Sequence, residues 1–186
     1  NRGYGIFLMK KLPVICLVDS SIYNSHEKLQ STNIALEVLY KLLNNDDYLR
    51  ESCEIYFYTF SENLIFKSVI NRKSNLRDFQ ISENELFGLN FLGNALYELE
   101  NSISFGKEFY RPNLFIFSSN NAVDVFTFES FSKTISNISQ FSNIVIYSMG
   151  NLTINSKHKY MTLTDNILNV EYLTESIFNM CLKFEE

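Results

Sequence analysis

Asp19-Ser20-Ser21-Ile22-Tyr23 closes an apolar run, Leu12 to Val18, and no other stretch of the chain offers as much chemistry. An acid with hydroxyls at i+2 and i+4 can set three oxygens around a small hard cation such as Mg²⁺, which takes octahedral oxygen ligation and keeps several waters. Asp19 supplies the acid and Ser21 the i+2 hydroxyl. Tyr23 fills i+4, where a phenol is too long and bulky to replace a serine in a tight loop. An aspartate ending a strand also has a simpler use, as a turn former that bonds loop amides.

Other reactive groups are scattered. His26 and His158 lie in polar stretches with no Cys or carboxylate at ligand spacing, and read as surface residues. Cys16, Cys53 and Cys181 are odd in number and spread singly, which suits neither a disulfide framework nor a CxxC knuckle. Each lies in or beside an apolar element, so buried reduced thiols and a reducing, cytoplasmic compartment are expected. Gly3-Tyr4-Gly5 lacks the spacing of a phosphate loop, and no serine sits in a GxSxG elbow. A phosphoacceptor use of Asp19-Ser20-Ser21 would want a second acidic pair and a late lysine, and neither is apparent. With no nucleophile, base or cofactor loop assembled, the chain reads as a non-enzyme, an enzyme of related α/β fold being the remote alternative.

The 186 residues suit one domain, 1–186, with a core at about 11–184. Met9 followed by Lys10-Lys11 reads as a start, with residues 1–8 upstream of it. A net charge of −5 without a basic stripe argues against nucleic acid, which needs clustered Lys and Arg to release counterions. No apolar stretch approaches the ~18 residues of a membrane span.

The elements that must position Asp19 follow from periodicity. Leu12 to Val18 suits a strand buried on both faces. Ile34, Ala35, Val38, Leu39, Leu42 and Leu43 form a helix face within Glu27 to Leu43, ended by Asn44-Asn45-Asp46-Asp47. Glu54 to Phe60 and Leu64 to Ile70 are strands too close in sequence for anything but a hairpin. Asn71 to Asn90 reads as a long connection with at most one short helix. Leu92, Ala95, Leu96, Leu99 and Ile103 form a second helical stripe, with Asn90 placed to cap it. Leu114 to Phe117 is a short buried strand. Phe128, Phe131, Ile135 and Ile138 mark a helix behind Thr127, with Asp124 a solvated turn acid before it. Ile144 to Tyr147 is the next strand, and residues 151–166 read as irregular. Ile167 to Val170 is read as a last strand and Leu173 to Phe184 as the closing helix. This order predicts an α/β fold: a doubly wound, mostly parallel sheet with one antiparallel edge strand and helices on both faces. Ligands of such sheets bind beyond the carboxyl ends of the strands, at the switch point.

Several segments together resemble bacterial von Willebrand factor A domains of the tellurite-resistance TerY type. Leu12-Pro13-Val14 running into Asp19-Ser20-Ser21 is similar to the family's strand and Asp-x-Ser-x-Ser motif. Tyr58-Thr59-Phe60-Ser61, Gly88-Leu89-Asn90-Phe91-Leu92-Gly93-Asn94-Ala95-Leu96 and Arg111-Pro112-Asn113-Leu114 resemble later family segments, in order, and the end from Val170 to Phe184 is similar to its closing helix. The resemblance spans Leu12 to Phe184 and implies a vWA, Rossmann-like fold with a metal-ion-dependent adhesion site. Asp19 and Ser21 match that site's acid and first serine. Tyr23, Asn90 and Ser119 stand where the family has a second serine, a threonine and a second aspartate.

Loss of a carboxylate removes the main charge compensation of a divalent site. The expectation is therefore a degenerate adhesion site with no cofactor, leaving room at most for weak Mg²⁺ at Asp19 and Ser21. An Mg²⁺-dependent switch on those two residues is the alternative. The resemblance implies a protein partner and no small-molecule substrate. Its contact surface would be Tyr23, Phe87, Asn90, Phe91 and the loop of Ser118, Ser119, Asn120 and Asn121.

Overall fold

The computed structural model describes residues 10–120, 122–124, 141–148 and 161–164. Asn121, His158, Cys181, the helix expected at 128–138, the strand expected at 167–170 and the closing helix lie outside them.

β1 (Leu12–Asp19) is the strand around which everything is arranged. It pairs in parallel with β2 (Cys53–Phe60) on one side and with β4 (Asn113–Ser118) on the other. Hydrogen-bonded on both edges and covered on both faces, it has no polar environment to meet, which is why its sequence is a continuous apolar run. Its side chains still alternate. Val14, Cys16 and Val18 enter one core cluster, while Ile15 and Leu17 enter the other.

The first core is closed by α1 (His26–Asn45), whose Leu29, Ala35, Leu36, Leu39 and Leu43 are buried against the sheet. Ser25 caps this helix, its side chain accepting from the Lys28 amide at 3.2 Å. A short α2 (Asp47–Ser52) follows, in the polar run read from sequence only as a breaker. The Asp46 carboxylate accepts from the Leu49 amide at 2.9 Å, so the residue that ends one helix starts the next. The second core is closed by α3 (Leu92–Ser102) through Leu92, Ala95, Leu96 and Leu99. Each such leucine contributes about 1.5–3 kcal/mol on burial, so the two stripes hold both faces of the sheet.

β3 (Leu64–Ile70) runs antiparallel to β2 and forms one edge of the sheet. Its register slips between Phe57 and Tyr58, and the bulge falls at Lys67, whose ammonium is paired with Glu85. A bulge carrying a charge blunts an exposed edge against further strand pairing. β5 (Asn143–Ser148) and β6 (Met161–Thr164) extend the other side in parallel. The strand order is β3-β2-β1-β4-β5-β6, six strands with one antiparallel, as expected. β6 lies in the segment read as irregular, so that reading is corrected. Four residues held by a neighbouring strand give too short a run to show a period. The connection after β3 holds two 3₁₀ turns, Leu76–Phe79 and Glu83–Glu85, where one short helix was the most expected. No helix among the described residues is long and apolar enough to cross a membrane.

Candidate functional site

Successive strands wind outward in opposite directions from β1, so the sheet's switch point lies between the carboxyl ends of β1 and β4. Asp19 is the last residue of β1 and Ser118 the last of β4. The Asp19 side chain enters this crevice and is buried, at 2% exposure.

Its carboxylate is fully engaged by protein donors. Oδ1 accepts from the Ser21 amide at 2.7 Å, the i to i+2 bond of an Asx turn. Oδ2 accepts from Asn90 Nδ2 at 2.9 Å, from the Ser119 amide at 2.9 Å, and from the Ser119 hydroxyl. Asn90 Nδ2 also lies 3.0 Å from Ser118 Oγ and 3.1 Å from the Asn120 carbonyl. Asp19 Oδ2 and the Asn120 carbonyl are pure acceptors, so the amide must turn its nitrogen toward them. The loop after β1 is fixed by Asn24, whose Nδ2 donates to the carbonyls of Asp19 and Ser21, both at 3.1 Å. Ser20 ties the same loop to the end of β2, its amide donating to the Phe60 carbonyl at 2.8 Å and its hydroxyl at 3.1 Å.

A third loop joins through the backbone. The Phe87 amide donates to the Ser20 carbonyl at 2.9 Å and the Ile22 amide to the Gly88 carbonyl at 3.0 Å. Gly88 holds φ at +69°, and a Cβ there would stand 3.0 Å from Glu62 Cγ, so this position is reserved for glycine. Ile22 and Phe87, set side by side by these bonds, are 61% and 67% exposed and form the apolar rim of the crevice.

Sequence reasoning thus brought together residues that do meet: Asp19, Ser21, Asn90, Ser118, Ser119 and Asn120. Tyr23 and Phe91 are half-buried, and Phe87 is exposed. Two assignments change. Asn90 does not cap α3; the N-cap position is Phe91, which makes no side-chain cap bond. Asp124 caps the helix instead, Oδ1 accepting from the Gly93 amide at 3.0 Å and Oδ2 from the Asn94 amide at 2.7 Å. It is not a free turn acid, because a carboxylate gains more by satisfying two orphan helix amides than by facing water. Ile22 and Lys28 were missed. Lys28 Nζ donates to the Ser119 carbonyl at 2.7 Å, a contact between positions 91 residues apart that leaves no local signal.

These residues do not fit a resident divalent ion. Asp19 is the one carboxylate among the five family positions, and the positive ends of four donors already occupy its oxygens. Ser21 Oγ and Asn90 Oδ1 are buried without a partner, but both are neutral oxygens. No group of three or more His, Cys, Asp or Glu able to hold a metal occurs among the described residues. The thiols are equally unsuited: burial pushes Cys53 up to about 12 and raises Cys16 well above its ordinary value.

The geometry matches known folds. The SpRpn10 VWA domain superimposes with a TM-score of 0.61 at 12% identity, covering 86% of this chain and 94% of that domain. The chain has the von Willebrand factor A fold. A manganese-loaded TRAP protein of Plasmodium vivax shares this A-type fold with a TM-score of 0.60 at 10% identity, covering 95% of this chain and 75% of that one. The pilus adhesin SpaC of Lactobacillus rhamnosus GG gives 0.65 at 8% identity, covering 92% of this chain, which spans 31% of the adhesin. No family model matches the sequence, and no curated protein does. Within the A-type fold, Asp19 ends the central strand at the switch point.

Proposed function

We propose that this chain is a non-catalytic protein-binding module in which hydrogen bonds have replaced the ion of a metal-ion-dependent adhesion site. The observation that carries the reading is the Asp19 carboxylate, saturated by Ser21, Asn90 and Ser119. Amide and hydroxyl donors supply the positive potential that a cation would bring, and they hold the three loops in one arrangement without a cofactor. The partner is another protein, met at the rim of Ile22, Tyr23, Phe87, Phe91 and the loop after β4. Exposed apolar side chains on a rigid frame are the usual energetic centre of an interface. The A-type neighbours support this reading, one of them being named an adhesin. Our reading extends to a cytoplasmic stress-response or phosphorylation-linked setting, and what supports it is the resemblance to TerY-type sequences.

Calorimetric titration of the whole chain with Mg²⁺, Mn²⁺ and Ca²⁺ tests the ion-free site. No saturable heat and no thermal shift at ~10 mM ion is expected, whereas one-to-one binding would establish an ion-dependent switch on Asp19 and Ser21 instead. For the rim, the Ile22→Ala/Phe87→Ala pair is expected to abolish capture of products of neighbouring genes. Undiminished capture would place the interface elsewhere.

A further inference from the structure

The opposite end of the sheet carries a second polar feature. β1 and β2 both begin there, with Leu12 beside Cys53, and β3 ends there, with Ile70 beside Ile55. Seven residues of strand separate it from Asp19, roughly 23 Å. A cleft of about 210 Å³ opens at this end, lined among others by Lys11, Arg50, Arg72 and Lys73, with Glu51 and Glu54 at its side. Four cations thus gather on a chain whose net charge is −5.

Three of the cations have partners, Arg50 donating to Asp47 Oδ1 at 2.7 Å, and a closed turn carries the fourth. The turn after β3 is closed by three bonds: the Asn71 amide to Ser74 Oγ at 3.1 Å, the Lys73 amide to Asn71 Oδ1 at 2.9 Å, and the Ser74 amide to the Asn71 carbonyl at 2.9 Å. This turn presents Arg72 and Lys73. Arg72 Nη1 donates to Glu51 Oε1 at 2.7 Å, which orients the guanidinium and leaves its other N–H groups to be shared. Lys11 Nζ spends one donor on the Glu51 carbonyl at 2.7 Å. Lys73 has no ion-pair partner among the described residues. Beneath lies an adjoining hollow, floored by buried Leu49, Ile55 and Ile70 and walled by Arg50 and Arg72. Low-dielectric walls below a set of charges concentrate their field toward the opening.

We propose that this cleft binds a phosphate monoester. A dianion with three terminal oxygens can accept from Lys73, Arg72 and Lys11 together, whereas a single carboxylate offers two oxygens and half the charge. Glu51 is paired with Arg72 and Glu54 accepts from the Tyr56 hydroxyl at 3.1 Å, and four cations against these two carboxylates leave the lining net positive. The volume is below that of an ordinary small-molecule pocket and suits a phosphoryl head group, carried by a protein side chain or by a small ester.

The test titrates the whole chain with inorganic phosphate and with a phosphoserine peptide, at ionic strength fixed with sodium chloride, following backbone amide NMR shifts. Saturable shifts at residues 11, 50–54 and 71–73 are expected. Arg72→Ala/Lys73→Ala should weaken them about tenfold or more, and Lys73→Gln, which keeps the Arg72–Glu51 pair, severalfold. Lys28→Ala at the far end should bind as the parent does. A tighter peptide than phosphate identifies a protein-borne phosphoryl group, and the reverse a small ester. Shifts that chloride reproduces, equal binding by the double variant with its fold intact by circular dichroism, or equal binding of the peptide with aspartate for phosphoserine would each overturn the proposal.

Discussion

Asn90 donates its side-chain amide to the carboxylate of Asp19 at 2.9 Å, joining positions 71 residues apart inside the switch-point crevice. The same nitrogen reaches Ser118 and the Asn120 carbonyl, so one amide gathers the ends of two central strands. Replacing Asn90 with Ala removes these bonds and leaves part of a buried carboxylate unsatisfied. A loss of about 1–3 kcal/mol is expected, read as a lower urea midpoint at unchanged slope.

Ser119→Asp would set a second carboxylate where two donors now meet Asp19. Like charges in a buried crevice disfavour one another, so stability should fall in the absence of ions by about 1–3 kcal/mol. Addition of Mg²⁺ should then restore the melting temperature of this variant and leave the parent unmoved. A variant that ignores Mg²⁺ would show that charge at position 119 is not what separates this crevice from an ion site.

Asp124 is the cap of α3 although it lies outside the helix. Asp124→Ala should cost about 0.5–2 kcal/mol, and Asp124→Asn less, since an amide oxygen still accepts from one of the two helix amides. Thermal unfolding of the three proteins would show this order. Equal melting points would mean that the cap adds nothing.

At Gly88 the positive φ and the Glu62 side chain both act against any Cβ. Gly88→Ala should destabilise by about 1–2 kcal/mol. Because Gly88 accepts from Ile22, the variant should also disturb the amide resonances of residues 20–22.

The two described thiols set an alkaline limit. Cys53 is raised from 9.0 to about 12, first by burial, and burial also raises Cys16. A raised folded-state value means that the native protein holds the proton more tightly than the unfolded chain does. The stabilisation is complete below the unfolded value near 9 and is lost as pH climbs through the folded value near 12 for Cys53. Across that window the unfolded chain releases the Cys53 proton before the native protein does, so stability falls as pH rises. Denaturation midpoints measured from pH 8 to 11 should begin to fall at about 9, and native Cys16 and Cys53 should resist thiol reagents at pH 8.

What the sequence by itself determined is what is written in short range. The continuous apolar run of β1, the 3.6-residue stripes of α1 and α3, and the close spacing of β2 and β3 each show in a single window. Burial on a strand or helix face repeats at a fixed interval, so fold class and the antiparallel edge were legible, while the strand order was not. Candidate residues were legible through Asp19 and the segments resembling A-type sequences. Only tertiary structure decided how those residues are used. Asp19 is satisfied by groups 71 and 100 residues away, α3 is capped from beyond β4, and Lys28 closes on Ser119. Hydrogen bonds of this kind depend on where strand ends converge and carry no periodicity. Asp19 was read from sequence as a failing metal ligand or a turn former. The crevice around it makes it the buried acceptor on which three loops converge.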